Sequence, residues 1–151
     1  MKPITHDTLR TWRGDIPVTA LYTVGLGGTI FLRALKERGE LVGTHCPACQ
    51  RTYLPAQQFC ERCFAELTEQ VKVKPEGELV SFTQAHYDRD GNRLPTPISV
   101  AAVRLDGADT VLIHYLLRTP KPRIGARVRV LLKPKAKRTG SILDIAGFVP
   151  A

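Results

Sequence analysis

The spacing of the cysteines constrains this chain more than any other feature of its sequence. All four cysteines lie in residues 46–63, CPACQRTYLPAQQFCERC, as two C-x-x-C pairs with ten residues between them. A C-x-x-C turn brings two sulfurs close enough to share one ion, and a second such turn completes a tetrahedron with metal–sulfur distances of about 2.3 Å. The spacing predicts a structural zinc site whose ligands are Cys46, Cys49, Cys60 and Cys63.

The alternatives for these thiols are disulfides, a redox pair, or iron in a rubredoxin-like site. The ten-residue gap is shorter than the gap in rubredoxins, which favours zinc. His45 would distort the paired geometry as a ligand, so we interpret it as a neighbour of the site. Because four thiolates fill the coordination shell, no position remains for water or substrate, and the metal is expected to stabilise the fold.

The chain has the composition of a soluble folded protein, with 43% hydrophobic and 24% charged residues. Its apolar N-terminal stretch is interrupted by Pro17, Gly25, Gly27 and Gly28, so no segment reaches the roughly 20 apolar residues of a membrane span. The N-terminus also lacks the pattern of a signal peptide. We therefore expect a cytoplasmic protein, in which structural disulfides are uncommon.

Three regions are distinguished by pattern: an N-terminal arm and helix (1–40), a zinc ribbon (41–70) and a small barrel (71–151). Residues 1–28 are too apolar for a free tail and are predicted to drape over the domain or a partner subunit. Thr29 is predicted to cap a short helix, IFLRALKER, which ends at Gly39.

The C-terminal half has the pattern of strands separated by tight turns. Five segments fit strands: GELVSFTQAHY, ISVAAVRL, TVLIHYLL, ARVRVLLKP and SILDIAGFVP. Asp-Gly turns follow the first two, and two prolines exclude a helix after the third. Five strands suit a small closed barrel better than a sandwich, which usually needs about seven.

The chain is basic, and its charge is unevenly distributed. The formal net charge is +8, and residues 118–138 contain nine Lys or Arg residues and no Asp or Glu. Such a run favours an anionic partner, which could be nucleic acid, a phosphorylated cofactor or an acidic protein face. A solvated strand face is the alternative interpretation.

No arrangement of catalytic residues emerges from the sequence. Assigning all four cysteines to a metal leaves no thiol as a nucleophile, and the common nucleophile, zinc-protease and nucleotide-binding motifs are missing. His86 and His114 lie in predicted strands, where a lone histidine is more often a packing residue than a general base. By itself the chain does not look like an enzyme.

The order of helix, four-cysteine ribbon and five-stranded barrel resembles a family of zinc-ribbon plus OB-fold proteins, long catalogued as a domain of unknown function. The resemblance runs from about Leu21 to the C-terminus. It rests on residues 22–63, on GELVSFT at the start of the barrel, on RIGARVRVLL and on the final FVP. Members usually have a glycine directly after the second cysteine, where this chain has Gln50.

The resemblance implies a mainly β protein: an N-terminal helix, a rubredoxin-like zinc ribbon and a C-terminal five-stranded OB-fold barrel. It also implies a non-catalytic partner of thiolases or 3-hydroxy-3-methylglutaryl-CoA synthases, such as the small subunit of a benzylsuccinyl-CoA-type thiolase. In this interpretation the large subunit supplies the chemistry, and the small one docks on it and assists acyl-CoA binding. An assembly with two or four copies of each subunit is expected.

In that acyl-CoA context, the basic residues become candidates for holding the phosphates of coenzyme A. The predicted phosphate-binding residues are Arg51, Arg62, Lys133, Lys135, Lys137 and Arg138. Arg51 and Arg62, which lie beside or within the C-x-x-C turns and are called the knuckle arginines below, have an alternative role, which is to offset the negative charge of a metal–thiolate site.

The competing hypothesis is a module that binds single-stranded nucleic acid, since OB-folds and zinc ribbons both do so and the net charge is suitable. Such binding also needs aromatic side chains on which bases stack. The barrel region offers Phe82, Tyr87, Tyr115 and Phe148, and two of these lie beside apolar runs that favour a place in the core.

Overall fold

The computed structural model describes residues 22–88 and 90–151, so most of the predicted N-terminal arm lies outside the described residues. This part of the chain contains one α-helix and eight strands. They are α1 (Gly25–Arg38), β1 (Leu41–Cys46), β2 (Arg51–Tyr53), β3 (Glu69–Val73), β4 (Glu76–Tyr87), β5 (Arg93–Leu105), β6 (Leu112–Tyr115), β7 (Arg127–Leu132) and β8 (Ile145–Pro150).

The end of α1 confirms the sequence prediction. Gly39 adopts a left-handed conformation with φ of 68°, which glycine reaches without steric cost. Its N–H donates to the Leu35 carbonyl at 3.1 Å, and the N–H of Glu40 donates to the Ala34 carbonyl at 3.3 Å. These bonds satisfy carbonyls that the last helical turn leaves unpaired.

The predicted start of the helix at Thr29 was wrong. The helix begins at Gly25, and Thr29 lies one turn inside it, where its hydroxyl donates to the Gly25 carbonyl at 2.7 Å. Gly27 is buried, and a Cβ there would lie 2.5 Å from the Ala56 carbonyl oxygen. Gly27 therefore lets the first turn pack closely against the ribbon, a tertiary contact that the local pattern does not contain.

A three-stranded antiparallel sheet forms the zinc ribbon, with the order β2-β1-β3. Its register pairs Cys46 with Arg51 and Thr44 with Tyr53 on one side of β1, and Leu41 with Val73 on the other. The last strand of this sheet thus extends to Val73, three residues past the predicted boundary at residue 70.

The second sheet contains five antiparallel strands in the order β6-β5-β4-β7-β8. A bridge between Leu116 and Phe148 joins its two outer strands, and the N–H of Leu117 donates to the Phe148 carbonyl at 2.7 Å. These contacts close the sheet into a barrel. The five-stranded barrel predicted from the sequence is confirmed.

One hydrophobic core connects the helix, the base of the ribbon and the barrel. Phe31 and Leu35 of α1 belong to the same buried cluster as Leu41 of the ribbon and Val103 and Phe148 of the barrel. A second, smaller cluster surrounds the cysteines and consists of Cys46, Tyr53, Cys60 and Leu67, with Cys49 packed against it. The ribbon is therefore anchored at its base, while its far end depends on its own small core.

Among the residues described, no helix is both long and apolar enough to span a membrane.

Candidate metal centre

The structure brings the four cysteines together at the far end of the ribbon. Their sulfur atoms all lie within 4.8 Å of one another, and the Cys46 and Cys63 sulfurs are 3.6 Å apart. A tetrahedral zinc site with bonds of about 2.3 Å has sulfurs about 3.8 Å apart. The spacing and the all-thiol donor set therefore fit a structural zinc ion.

Both C-x-x-C turns end on a residue with left-handed backbone. Gln50 follows the first pair with φ of 53°, and Phe64 follows the second with φ of 59°. The amide of Gln50 donates to the Pro47 carbonyl at 2.6 Å, which gives this side chain a contact that glycine could not make. The N–H of Phe64 donates to the Cys60 carbonyl at 3.0 Å. The first turn therefore forms without the usual glycine.

The site is buried on one side and open on the other. Cys46 and Cys60 are fully buried, Cys49 is half-buried and Cys63 is exposed. A hydrogen bond with Cys63, together with burial, raises the pKa of Cys49 to about 12. Because a metal binds the thiolate, loading of the site must release protons and is favoured by rising pH.

Tyr53 occupies a position that the sequence does not reveal. Like its neighbour Leu54 it is buried, whereas Phe59, just before the second cysteine pair, is 52% exposed. The hydroxyl of Tyr53 lies 3.2 Å from the Cys60 sulfur. This hydrogen bond lowers the pKa of Cys60 to about 5. Residue type and spacing give no signal for such a contact.

His45 lies beside the site as predicted, outside the four-cysteine group. Its Nδ1 is 3.1 Å from the Thr52 hydroxyl.

The two knuckle arginines differ in burial. Arg51 is half-buried, and its Nε is enclosed without a hydrogen-bond partner among the described residues. Arg62 is exposed, and its backbone N–H donates to the Cys60 sulfur at 3.4 Å.

We use the term basic segment for Lys133, Lys135, Lys137 and Arg138. Lys135–Lys137 form an exposed 3₁₀ helix. The Arg138 Nε donates to the Lys133 carbonyl at 2.8 Å, and its guanidinium lies so close to Gly39 that a Cβ there would be 2.6 Å from Nη1. Arg138 is thus packed against the end of α1.

The basic segment and the knuckle arginines lie at opposite ends of β1. Arg138 touches Gly39, just before the strand begins, whereas Arg51 pairs with Cys46, where it ends. A strand of six residues spans about 17 Å at roughly 3.3 Å per residue. The structure therefore does not bring the six predicted phosphate-binding residues together at one point.

The two strand histidines differ from each other. His114 is 7% exposed, as predicted for a packing residue, and burial lowers its pKa. The prediction was wrong for His86, which is exposed.

Of the aromatic side chains in the barrel region, Phe148 is buried, whereas Phe82, Tyr87 and Tyr115 are 36%, 62% and 43% exposed. More aromatic surface is therefore exposed than the adjacent apolar runs indicated.

Comparison with known families and structures agrees with this architecture. Residues 33–69 match the family model described as the ChsH2 rubredoxin-like zinc ribbon domain. Residues 70–133 match the model described as the ChsH2 C-terminal OB-fold domain. The two matches adjoin each other and together cover residues 33–133, with their boundary inside β3, the last strand of the ribbon sheet.

Two solved structures are similar to the chain. One is a protein of unknown function from the DUF35 family of Sulfolobus solfataricus, 30% identical over 71% of this chain and 78% of that chain, with a TM-score of 0.61. The other is a chain of the Ltp2-ChsH2(DUF35) aldolase, 22% identical over 86% of this chain and 98% of that chain, also with a TM-score of 0.61. The chain therefore belongs to the ChsH2/DUF35 family, in which a rubredoxin-like zinc ribbon is joined to an OB-fold domain.

Proposed function

We propose that the protein is a non-catalytic, zinc-binding subunit of a thiolase-type acyl-CoA acyltransferase complex. It docks on a thiolase-fold catalytic subunit in a hetero-oligomer with two or four copies of each chain. The zinc ion holds the end of the ribbon in shape, and the basic segment assists binding of CoA or acyl-CoA. The reacting groups belong to the partner.

The observation that carries this proposal is the complete use of the cysteines at one site. The sequence contains four cysteines, and the four sulfurs lie within 4.8 Å of one another. A thiolase-type reaction needs a thiol nucleophile outside a closed metal shell. That thiol must therefore come from another chain.

The comparisons support an accessory role. The chain belongs to a family of which a member, of similar fold, occurs with Ltp2 in an aldolase. That arrangement is a property of the other protein, and we extend to this chain only the idea of a catalytic partner. The resemblance to proteins that accompany thiolases supports a thiolase-fold subunit as the partner.

The surroundings of the basic segment support a role in binding CoA phosphates. A cleft of about 480 Å³ lies between the ribbon and the barrel, lined by residues that include Gly39, Val73, Arg129 and Leu132. Lys133 follows Leu132, and Arg138 packs against Gly39, so the basic segment adjoins this cleft. Binding energy from the nucleotide part of CoA, which lies far from the reacting carbonyl, can help to position the thioester.

The partnership is tested by co-expression with a candidate thiolase-fold protein, followed by size-exclusion chromatography with light scattering. We expect a stable hetero-oligomer that contains zinc in this subunit and processes a thioester only when both chains are present. Thioester turnover by the isolated, zinc-free protein through one of its cysteines would overturn the proposal. So would full activity of the partner alone.

The role of the basic segment is tested in the complex with Lys135→Gln/Lys137→Gln. This variant spares Arg138, whose guanidinium packs against α1. We expect KM for CoA to rise about fivefold with kcat little changed, because two exposed charges contribute modestly to binding. A matched control, Arg93→Gln/Arg104→Gln, removes two exposed charges away from the cleft and should leave KM unchanged. If the two variants have equal KM values for CoA, the basic segment does not assist CoA binding.

The nucleic-acid hypothesis has one observation in its favour, which is the exposure of Phe82, Tyr87 and Tyr115. A gel shift with single-stranded DNA at near-physiological salt separates the two functions. We expect weak binding that disappears as salt rises. Tight binding that is lost in the Phe82→Ala/Tyr115→Ala variant would favour the nucleic-acid module instead.

A further inference from the structure

Tyr53 places a polar group in the small core that surrounds the cysteines. Its side chain is fully buried, and its hydroxyl oxygen lies 3.2 Å from the Cys60 sulfur. Among the described residues, this sulfur is the one hydrogen-bond partner of the hydroxyl. A buried hydroxyl without a partner is unfavourable, so the contact determines where the hydroxyl points.

The backbone holds the ring of Tyr53 in this place. Tyr53 pairs with Thr44 in the ribbon sheet, and a Cβ at Gly43 would collide with the Tyr53 carbonyl oxygen. The two strands therefore pack closely beside Tyr53, and their pairing places its ring in the small cluster around the cysteines.

The direction of the hydrogen bond follows from the state of the sulfur. In the thiol form either atom can donate, but a metal-bound thiolate has no proton and can only accept. Cys60 then receives two donors, the Tyr53 hydroxyl and the backbone N–H of Arg62, whose nitrogen is 3.4 Å from the sulfur. Donors to a ligating sulfur fix its orientation and so hold it in place against the metal.

We propose that Tyr53 is a positioning residue of the metal centre, whose hydroxyl donates to the Cys60 sulfur in the metal-bound protein and retards loss of the ion. This inference goes beyond the proposed function in assigning a role to a residue outside the four ligands. It rests on the zinc-binding part of that function and is independent of the partner and of CoA.

The direct test is Tyr53→Phe, which removes the hydroxyl and keeps the ring. We expect transfer of zinc from the purified, reduced protein to a chromophoric chelator to become about tenfold faster, within the range seen when outer partners of metal ligands are removed. The control is Tyr115→Phe, which removes a hydroxyl from an exposed tyrosine in the barrel and should leave the rate unchanged. Equal rates in wild type and a folded Tyr53→Phe protein would overturn the inference.

A spectroscopic measurement separates a hydrogen bond from a general loosening of the ribbon. In the cobalt-substituted proteins, loss of a donor to one thiolate should move the sulfur-to-cobalt charge-transfer bands of Tyr53→Phe to lower energy. The ligand-field bands of a tetrahedral four-sulfur site should persist. Unshifted charge-transfer bands would contradict a hydrogen bond to the ligand.

A measurement on the unaltered protein covers the case in which Tyr53→Phe fails to fold. With ¹¹³Cd in the site, a hydroxyl proton bonded to a ligating sulfur should exchange slowly and show scalar coupling to the metal. Absence of this coupling from Tyr53 would overturn the inference. Failure of the wild-type protein to retain any metal would instead refute the zinc-binding part of the proposed function.

Discussion

Thr110 of the barrel and Leu54 of the ribbon exchange two hydrogen bonds. The Thr110 hydroxyl accepts from the Leu54 N–H at 2.8 Å and donates to the Leu54 carbonyl at 2.7 Å. Thr44 makes the same exchange with the backbone of Gln57, at 2.9 and 3.0 Å. Two threonine hydroxyls thus fix the loop that joins β2 to the second cysteine pair, at its start and near its middle.

We predict that Thr110→Val destabilises the protein by about 2 kcal/mol, because it leaves two backbone groups of Leu54 without partners. Thr110→Ser keeps the hydroxyl and should lose much less. Urea unfolding monitored by circular dichroism measures both differences. If the valine variant is as stable as the serine variant, the exchange does not secure the ribbon to the barrel.

The left-handed backbone at Phe64 should affect the stability of variants in the second C-x-x-C turn. Its ring is 79% exposed and its φ is 59°, a conformation that favours glycine over a residue with a Cβ. Phe64→Gly should therefore be more stable than Phe64→Ala by about 1 kcal/mol, or about 2–4 °C in Tm. Since both variants remove the ring, the difference between their melting temperatures reports the cost of the left-handed backbone conformation. Equal melting temperatures would contradict the strained conformation.

Removal of the metal should affect the two parts of the molecule differently. The core of the barrel does not include the cysteines, whereas the outer end of the ribbon is held by the small cluster of Cys46, Tyr53, Cys60 and Leu67. After chelation under reducing conditions, we expect hydrogen exchange to accelerate in residues 44–67 and to remain slow in β4, β5 and β8.

Addition of zinc to the chelated protein should restore slow exchange in the ribbon. Exchange that accelerates equally in the ribbon and the barrel would show that the metal supports the whole fold. Unchanged exchange in residues 44–67 would show that the ribbon needs no ion.

The buried carboxylate of Asp144 should make the stability of the protein depend on pH in the acid range. Its carboxylate is 1% exposed and accepts from the N–H groups of Thr139, Gly140 and Ser141 at 2.9, 2.7 and 3.3 Å. Burial alone would raise its pKa, but these bonds outweigh burial, and the pKa lies below its usual value. Its stabilising contribution is therefore complete above the unfolded pKa of about 3.9 and is lost as the pH falls through the folded pKa.

Asp144→Asn replaces an accepting oxygen with a donor and should cost about 2 kcal/mol at pH 7. The difference in unfolding free energy between wild type and variant should shrink as the pH falls below about 4. Urea unfolding at several pH values between 3 and 7 measures this difference, and metal loss affects both proteins alike. The exposed Glu37→Gln serves as the control, with no comparable change. A difference independent of pH would contradict the low pKa.

The sequence by itself determined the features that depend on neighbouring residues. Cys46-x-x-Cys49 and Cys60-x-x-Cys63 predict a metal site because a C-x-x-C turn is closed by local backbone geometry. Gly39 predicts the end of α1 because glycine adopts the left-handed conformation freely. Alternating residues and Asp-Gly turns predict the strands of the barrel for the same local reason.

Only the tertiary structure decided which distant groups meet. The hydroxyl of Tyr53 reaches Cys60 because the register of β1 and β2 places it there, and Thr110 meets Leu54 across 56 residues of sequence. Likewise, Arg138 packs against Gly39 and is thereby separated from Arg51 by the length of β1. Periodicity indicates which face of a strand is buried, but the partner on that face follows from how the sheets pack together.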